Sequence, residues 1–127
     1  LMQAGINVAF GHDCVMDPWY SLGTGDMLEV AHMGLHVGQM TAQAQMKACF
    51  DAVTVNPAKT LELKDYGISA GCNADMVLLQ AANPVEALRT RATRLAVIRG
   101  GKIIAQTPAS TATLALAGRP ETVDWRT

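Results

Sequence analysis

Gly11-His12-Asp13 is the first stretch where residue type and position together suggest chemistry. Ile6-Asn7-Val8-Ala9-Phe10 alternates apolar with small or polar residues and is rich in β-formers, which predicts a strand. Asp13 then falls at the C-terminal end of that strand, directly ahead of a long loop. α/β barrels carry their catalytic groups at such ends. A carboxylate there can ligate a hard or borderline metal ion and can accept a proton from an activated water. The same residue also suits a plainer duty, starting a turn or capping loop amides.

Cys14 follows directly. It can line a pocket or lie as a soft thiol under the loop, and no histidine is placed by local sequence to activate it as a nucleophile. Trp19-Tyr20 lies in the same loop, where aromatic rings either stack on a flat ligand or pin the loop to the core. His32 and His36 stand four residues apart on a predicted helix, a spacing that can hold a metal. HExxH is absent, because Met33-Gly34-Leu35 follows His32, so the reading preferred here is partly exposed or core-satisfied histidines. Cys49 and Cys72 read as small buried hydrophobes. There is no G-x-G-x-x-G and no P-loop, so phosphate binding has no support. The H-x-E…P-C-x-x-C signature of the small zinc nucleobase deaminases is missing as well.

The elements that position these residues are legible in outline. A loop runs from Cys14 to Gly25, marked by Asp17-Pro18, Gly23 and Gly25. Asp26, with Glu29 three residues on, predicts a capped helix to about Gln39. Leu28, Ala31 and Leu35 form one apolar stripe of that helix, and Val30, Met33 and Val37 lie off it, which predicts a mostly buried helix. Gly34 and Gly38 share a face open to close approach. Thr41 is expected to cap a helix over about 42–52. Asn56-Pro57 predicts another, with Asn at the N-cap and Pro at the first helical position, ending near Leu61. Beyond Leu63 the pattern turns to short strands: Met76 to Leu79, then a two-turn helix opened by Asn83-Pro84. A hairpin follows from Leu95 to Gln106, turning at Gly100-Gly101. A further strand is predicted within 111–116. Two regions result, 1–63 and 64–127.

Composition sets the outer limits. The chain has 127 residues, half of them hydrophobic, and a mean hydropathy of +0.16; that is enough for a core and too apolar for a disordered tail. A net charge of −1, with scattered basic residues, gives no nucleic-acid face and no membrane-surface patch. Three cysteines without a CxxC pair argue against a disulfide framework, and a reducing cytoplasm is the expected compartment. No apolar run is long enough for a membrane span. Leu1-Met2-Gln3-Ala4-Gly5 enters the first strand without a lead-in, so a piece of a longer chain is expected.

Several of these runs, in this order, resemble the bacterial cytosine deaminases of the amidohydrolase superfamily. Gly5 through Asp13, Asp17-Pro18-Trp19-Tyr20 and Gly25-Asp26-Met27-Leu28 are similar to the last barrel strand and its loop. Met33-Gly34-Leu35-His36-Val37 continues the likeness. Asn56-Pro57-Ala58-Lys59-Thr60-Leu61, Asp65-Tyr66-Gly67-Ile68 and Asn73-Ala74-Asp75-Met76-Val77 resemble the exit from the barrel, and Arg99-Gly100-Gly101-Lys102-Ile103-Ile104 the closing hairpin. The likeness covers nearly the whole chain. Its specific part is Gly11 to Tyr20; the later motifs are general to the superfamily.

The resemblance implies an α/β fragment of a larger enzyme. Residues 1–63 would be strand eight, the active-site loop and helices of a distorted (β/α)₈ barrel, and 64–127 the C-terminal part of a small β-sandwich domain. It implies iron or zinc in the full-length enzyme, ligated by Asp13 together with histidines from earlier strands. Asp13 would also shuttle a proton from the attacking water, with ammonia leaving from the ring. Trp19 would cover the substrate ring. Cys14 departs from the family pattern, which has a second Asp there. A small uncharged thiol makes that edge less hostile to a ring substituent than a desolvated carboxylate would be. The substrate expected is a nucleobase-like small molecule, cytosine first, with a triazine or a creatinine-like ring as the alternative. A non-catalytic β-rich accessory domain is the reading from another class. One Asp cannot hold a catalytic metal, so the chain by itself is expected to bind none and to be inactive. Self-association, or a homo-oligomeric parent, is expected from its open apolar surfaces.

Overall fold

Helix caps decide where most of this fold begins. In the computed structural model, which describes residues 1–123, α1 spans Met27–Val37 and Asp26 caps it, its carboxylate accepting from the Leu28 amide at 2.9 Å. Glu29 does not reach back to the Asp26 amide as a capping box requires. Its carboxylate instead takes the Thr24 hydroxyl, and the Thr24 oxygen accepts from the Asp26 amide at 3.3 Å, so the second arm is relayed through Thr24. α4 (Pro84–Thr90) starts as expected: Asn83 accepts from the Glu86 amide at 3.0 Å, and Pro84 occupies the first turn.

Two helix starts differ from expectation. α2 (Gln43–Asp51) is capped at Ala42 rather than Thr41, and the Gln45 side chain accepts from the Ala42 amide at 3.1 Å. α3 (Val55–Thr60) begins before Asn56, which is therefore not a cap. The Asn56 amide instead donates to the Val8 carbonyl at 2.9 Å, a partner 48 residues away that no local pattern announces.

The core lies where α1, α2 and α4 meet. Leu28, Ala31 and Leu35 of α1 pack with Cys49 of α2 and with Ala87, Leu88 and Ala92 at α4, and Phe10, Met46 and Phe50 close the margin. Each fully buried Leu contributes on the order of 2 kcal/mol. Ala87 and Leu88 thus enter the same core as the helices of residues 1–63. α1 buries only this stripe; Met33 and Val37 are exposed, Val37 at 81%, so the helix is less covered than its composition suggested. Gly34 admits Phe10, for a Cβ there would stand 2.5 Å from the Phe10 ring.

The sheet is antiparallel, ordered β1-β2-β3, from β1 (Met76–Leu79), β2 (Arg94–Arg99) and β3 (Lys102–Gln106). Gly100 and Gly101, at φ +54° and +74°, make the expected two-residue turn. Asp75 accepts from the Gly100 amide and the Ala74 carbonyl from the Gly101 amide, tying the turn to the residues before β1. β3 is exposed along its length, and so are Met76, Val77 and Leu78 of β1; among the described residues no second sheet covers them. The strand expected within 111–116 shrinks to β4 (Ala112–Thr113), paired with β5 (Thr122–Val123), which the sequence reading did not foresee. The family-based region 64–127 ends in residues 124–127, outside the described residues.

Ile6–Phe10 is the main correction. Among the described residues it joins no β-ladder. A strand is defined by its neighbours, and none lies alongside. A single 3₁₀ turn, Met2–Ala4, precedes it. The segment is held by other means. The Phe10 backbone amide donates to the Ala52 carbonyl at 2.8 Å, the Asn56 side chain donates to the Val8 carbonyl, and the Asn7 side-chain amide donates to the Asn56 backbone carbonyl and the Thr60 hydroxyl at 3.1 and 3.0 Å.

Candidate active site

Asp13 is the centre of a tight three-residue turn. The Cys14 amide donates to the His12 carbonyl at 2.9 Å, and Asp13 itself lies at φ +63°. A positive-φ turn closed by an i to i+2 bond is rare and strained. Asp tolerates positive φ better than most side chains, but the conformation still costs energy and persists only when the surroundings impose it. The Asp13 side chain is exposed beyond the end of the extended segment.

Those surroundings include His12, which the sequence reading did not single out. Its Nδ1 lies 2.8 Å from the Cys14 carbonyl oxygen, and its Nε2 lies 3.1 Å from the Gly25 amide nitrogen. A backbone N–H only donates and a carbonyl only accepts. The ring is therefore the Nδ1–H tautomer, an assignment made from its partners. Gly23 roofs this arrangement: a Cβ there would stand 2.2 Å from the Cys14 oxygen and 2.6 Å from the His12 ring.

Asp17 organises the rest of the loop. Its Oδ1 accepts from the Trp19 and Tyr20 amides at 2.9 and 3.1 Å. The Trp19 amide, aided by the Cys14 thiol and the Tyr20 and Val15 amides, holds the Asp17 carboxyl below the usual carboxylate range. Cys14 is half-buried between two carboxylates. Hydrogen bonding to Asp17 comes first, then burial and the negative charge of Asp13 and Asp17, and together they push its thiol up to about 11. A thiol held protonated is a poor nucleophile, as its sequence context suggested. Trp19 is 91% exposed and does not pin the loop, while Tyr20 is more covered.

The expected site residues Asp13, Cys14 and Trp19 share one loop. They do not line the crevice of about 170 Å³ beneath it, whose walls are Gly11, His12, Tyr20, Gly23, Glu29, Val30 and Met33. That space separates the loop from α1. Among the described residues no three His, Cys, Asp or Glu side chains converge as a metal ion requires. Asp13 offers one hard oxygen ligand, fitting a single position of a divalent ion, and both His12 nitrogens are engaged. His32 Nδ1–H donates to the Leu88 carbonyl at 3.0 Å, helping seat α1 on α4, and its ring lies edge-on to that of the exposed His36.

A family model described as the amidohydrolase family matches residues 1–105. The chain belongs to the amidohydrolase family. Among solved structures it is similar to the 5-methylcytosine deaminase from Klebsiella pneumoniae. Against the form liganded with phosphonocytosine the TM-score is 0.80 and the identity 42%, over 86% of this chain and 27% of that one. Against the form liganded with 5-fluorocytosine they are 0.83 and 40%, over 89% and 28%. It is also similar to the N-isopropylammelide isopropyl amidohydrolase of Pseudomonas sp. (strain ADP), 33% identical over 82% of this chain and 26% of the relative. The N-isopropylammelide isopropylaminohydrolase from Burkholderia multivorans ATCC 17616 gives a TM-score of 0.79 at 32% identity, over 85% of this chain and 28% of that one. The chain thus spans about a quarter of the length of these amidohydrolases. Its helices and antiparallel sheet are an amidohydrolase-like α/β arrangement. No described helix is long and apolar enough to cross a membrane.

Proposed function

We propose that this chain is the C-terminal quarter of a metal-dependent deaminase of cytosine-like pyrimidines. The observation that carries the reading is its 40–42% identity to a 5-methylcytosine deaminase across 86–89% of its length. Residues 1–63 would complete a distorted (β/α)₈ barrel as its eighth strand, loop and helices. Residues 64–127 would supply part of a β-sandwich, with α4 folding back onto the barrel helices. Asp13 would hold a divalent ion, iron or zinc, together with histidines from the rest of the enzyme. Such an ion supplies acidity to water and charge stabilisation at the ring. The Asp13 carboxylate takes the proton released by the attacking water and delivers it to the departing amino group, so that the C–N bond breaks and ammonia leaves. Trp19 stacks on the ring. Cys14, protonated and small, leaves room for a ring substituent beside it, which favours substituted pyrimidines alongside cytosine. A cytoplasmic enzyme, oligomeric through its apolar surfaces, is the setting this chemistry suits.

The triazine alternative draws on the N-isopropylammelide hydrolases, which are 32–33% identical to this chain. Both readings share a nitrogen-rich aromatic ring losing an amine. Assaying the full-length protein for ammonia from cytosine and 5-methylcytosine, and for isopropylamine from N-isopropylammelide, separates them. Turnover of the pyrimidines is expected. Turnover of N-isopropylammelide alone would overturn the pyrimidine reading. Asp13→Asn should keep the fold and remove nearly all turnover; a loss below about tenfold, only ~1.4 kcal/mol of barrier, would take Asp13 away from the reacting centre.

A further inference from the structure

We propose that His12 is the positioning residue of this site, a clamp that holds Asp13 in its strained turn; the inference rests on the role proposed for Asp13. Three bonds close around that one residue. The backbone bond from the Cys14 amide to the His12 carbonyl, 2.9 Å, forms the turn. The His12 Nδ1–H donates to the Cys14 carbonyl at 2.8 Å, closing a second ring over the same three residues from the side-chain side. The Gly25 amide donates to Nε2 at 3.1 Å, anchoring the ring to the far end of the loop just before the Asp26 cap. A residue at φ +63° would relax toward negative φ if released, and its carboxylate would swing with it. The clamp supplies what such strain needs, a surrounding that over-determines it.

The arrangement also separates His12 from metal binding. Its two ring nitrogens already serve one donor and one acceptor, and the Gly23 backbone packs close against the ring, a Cβ there lying 2.6 Å from it. His12 therefore acts through Asp13 and not on the substrate. A displacement of the carboxylate by about an ångström is the size of misplacement that costs roughly a hundredfold in rate.

The two bonds can be tested apart in the full-length protein. An Asn amide reaches about as far as Nδ1, so His12→Asn keeps the bond to the Cys14 carbonyl. A Gln amide reaches about as far as Nε2, so His12→Gln keeps the bond from Gly25. Because the first bond spans Asp13, His12→Asn should retain kcat within about tenfold, while His12→Gln and His12→Ala fall about a hundredfold, with KM changed by less than about threefold. Long-range proton–nitrogen spectra of the metal-free full-length protein should show His12 as the Nδ1–H tautomer. A kcat for His12→Ala near wild type, equal losses in the Asn and Gln variants, or an Nε2–H tautomer would each overturn the clamp. Asp13→Asn serves as reference. If it is inactive while His12→Ala is active, only the clamp fails; if it is fully active, the role of Asp13 fails and takes the clamp with it.

Discussion

At the scale of single residues, conformation and chemistry pull Asp13 in opposite directions. Glycine meets no steric penalty at φ +63°, whereas an L side chain does. Asp13→Gly is therefore expected to be more stable than Asp13→Ala by about 1 kcal/mol, though both lose the carboxylate. Urea midpoints of the two full-length variants check this, and equal midpoints would mean that the turn stores no strain. Cys14 gives a second residue-scale expectation. A thiol raised from 9.0 to about 11 carries about a hundredfold less thiolate at pH 8 than an ordinary one. The largest cause is Asp17, so Asp17→Asn should speed alkylation of Cys14 at pH 8, while the new side-chain oxygen still accepts from Trp19 and Tyr20. Peptide mapping by mass spectrometry after timed iodoacetamide treatment reads Cys14 apart from Cys49 and Cys72. No acceleration would remove Asp17 as the group that holds the thiol protonated.

At the scale of elements, what the sequence disclosed followed the reach of each interaction. Asp26 and Asn83 bond to amides two and three residues away, so α1 and α4 could be read from short patterns. The Gly100-Gly101 turn is equally local. Asn56 looked like a cap because Asn-Pro usually is one, yet its partner is Val8, across 48 residues. Ile6–Phe10 has a strand's alternation and no ladder, since pairing depends on chain that is remote in sequence. The same limit hid part of the candidate site. Asp13 and the loop were legible from a strand-end carboxylate ahead of glycines and aromatics. The partner of His12 at Gly25 lies 13 residues away and gave no signal. The Asn7–Asn56 contact ties the extended segment to α3. Asn56→Ala should cost about 1 kcal/mol, and adding Asn7→Ala should cost less than its separate effect, because the two amides share one clasp. Amide exchange at Val8 and Phe10, read beside urea denaturation, tests the coupling; strictly additive losses would mean two unrelated bonds.

At the scale of the whole molecule, apolar surface exceeds what a free-standing domain leaves open. Ile6, Met33, Val37, Ile103, Ile104 and Leu116 are all exposed large hydrophobics. Exposed apolar side chains favour association where they gather into patches, and an unladdered extended segment recruits partners at its edges. The isolated 127-residue chain should therefore sediment above its monomer mass of 13.5 kDa and release no ammonia from cytosine. A dilute monomer with protected amides across Ile6–Phe10, or ammonia release by host-free material, would contradict these two expectations respectively.

The clasp between residues 7–10 and 52–60 also sets the boundaries of a transplant. An engineer wishing to move this loop into another barrel would be tempted to cut at Gly11 and Gly25, where the loop begins and ends. The stem that aims it is also tied to Ala52, Asn56 and Thr60. A cassette that keeps these ties therefore runs from Asn7 to Thr60, and a donor loop lifted without its second half would arrive in its new host without them.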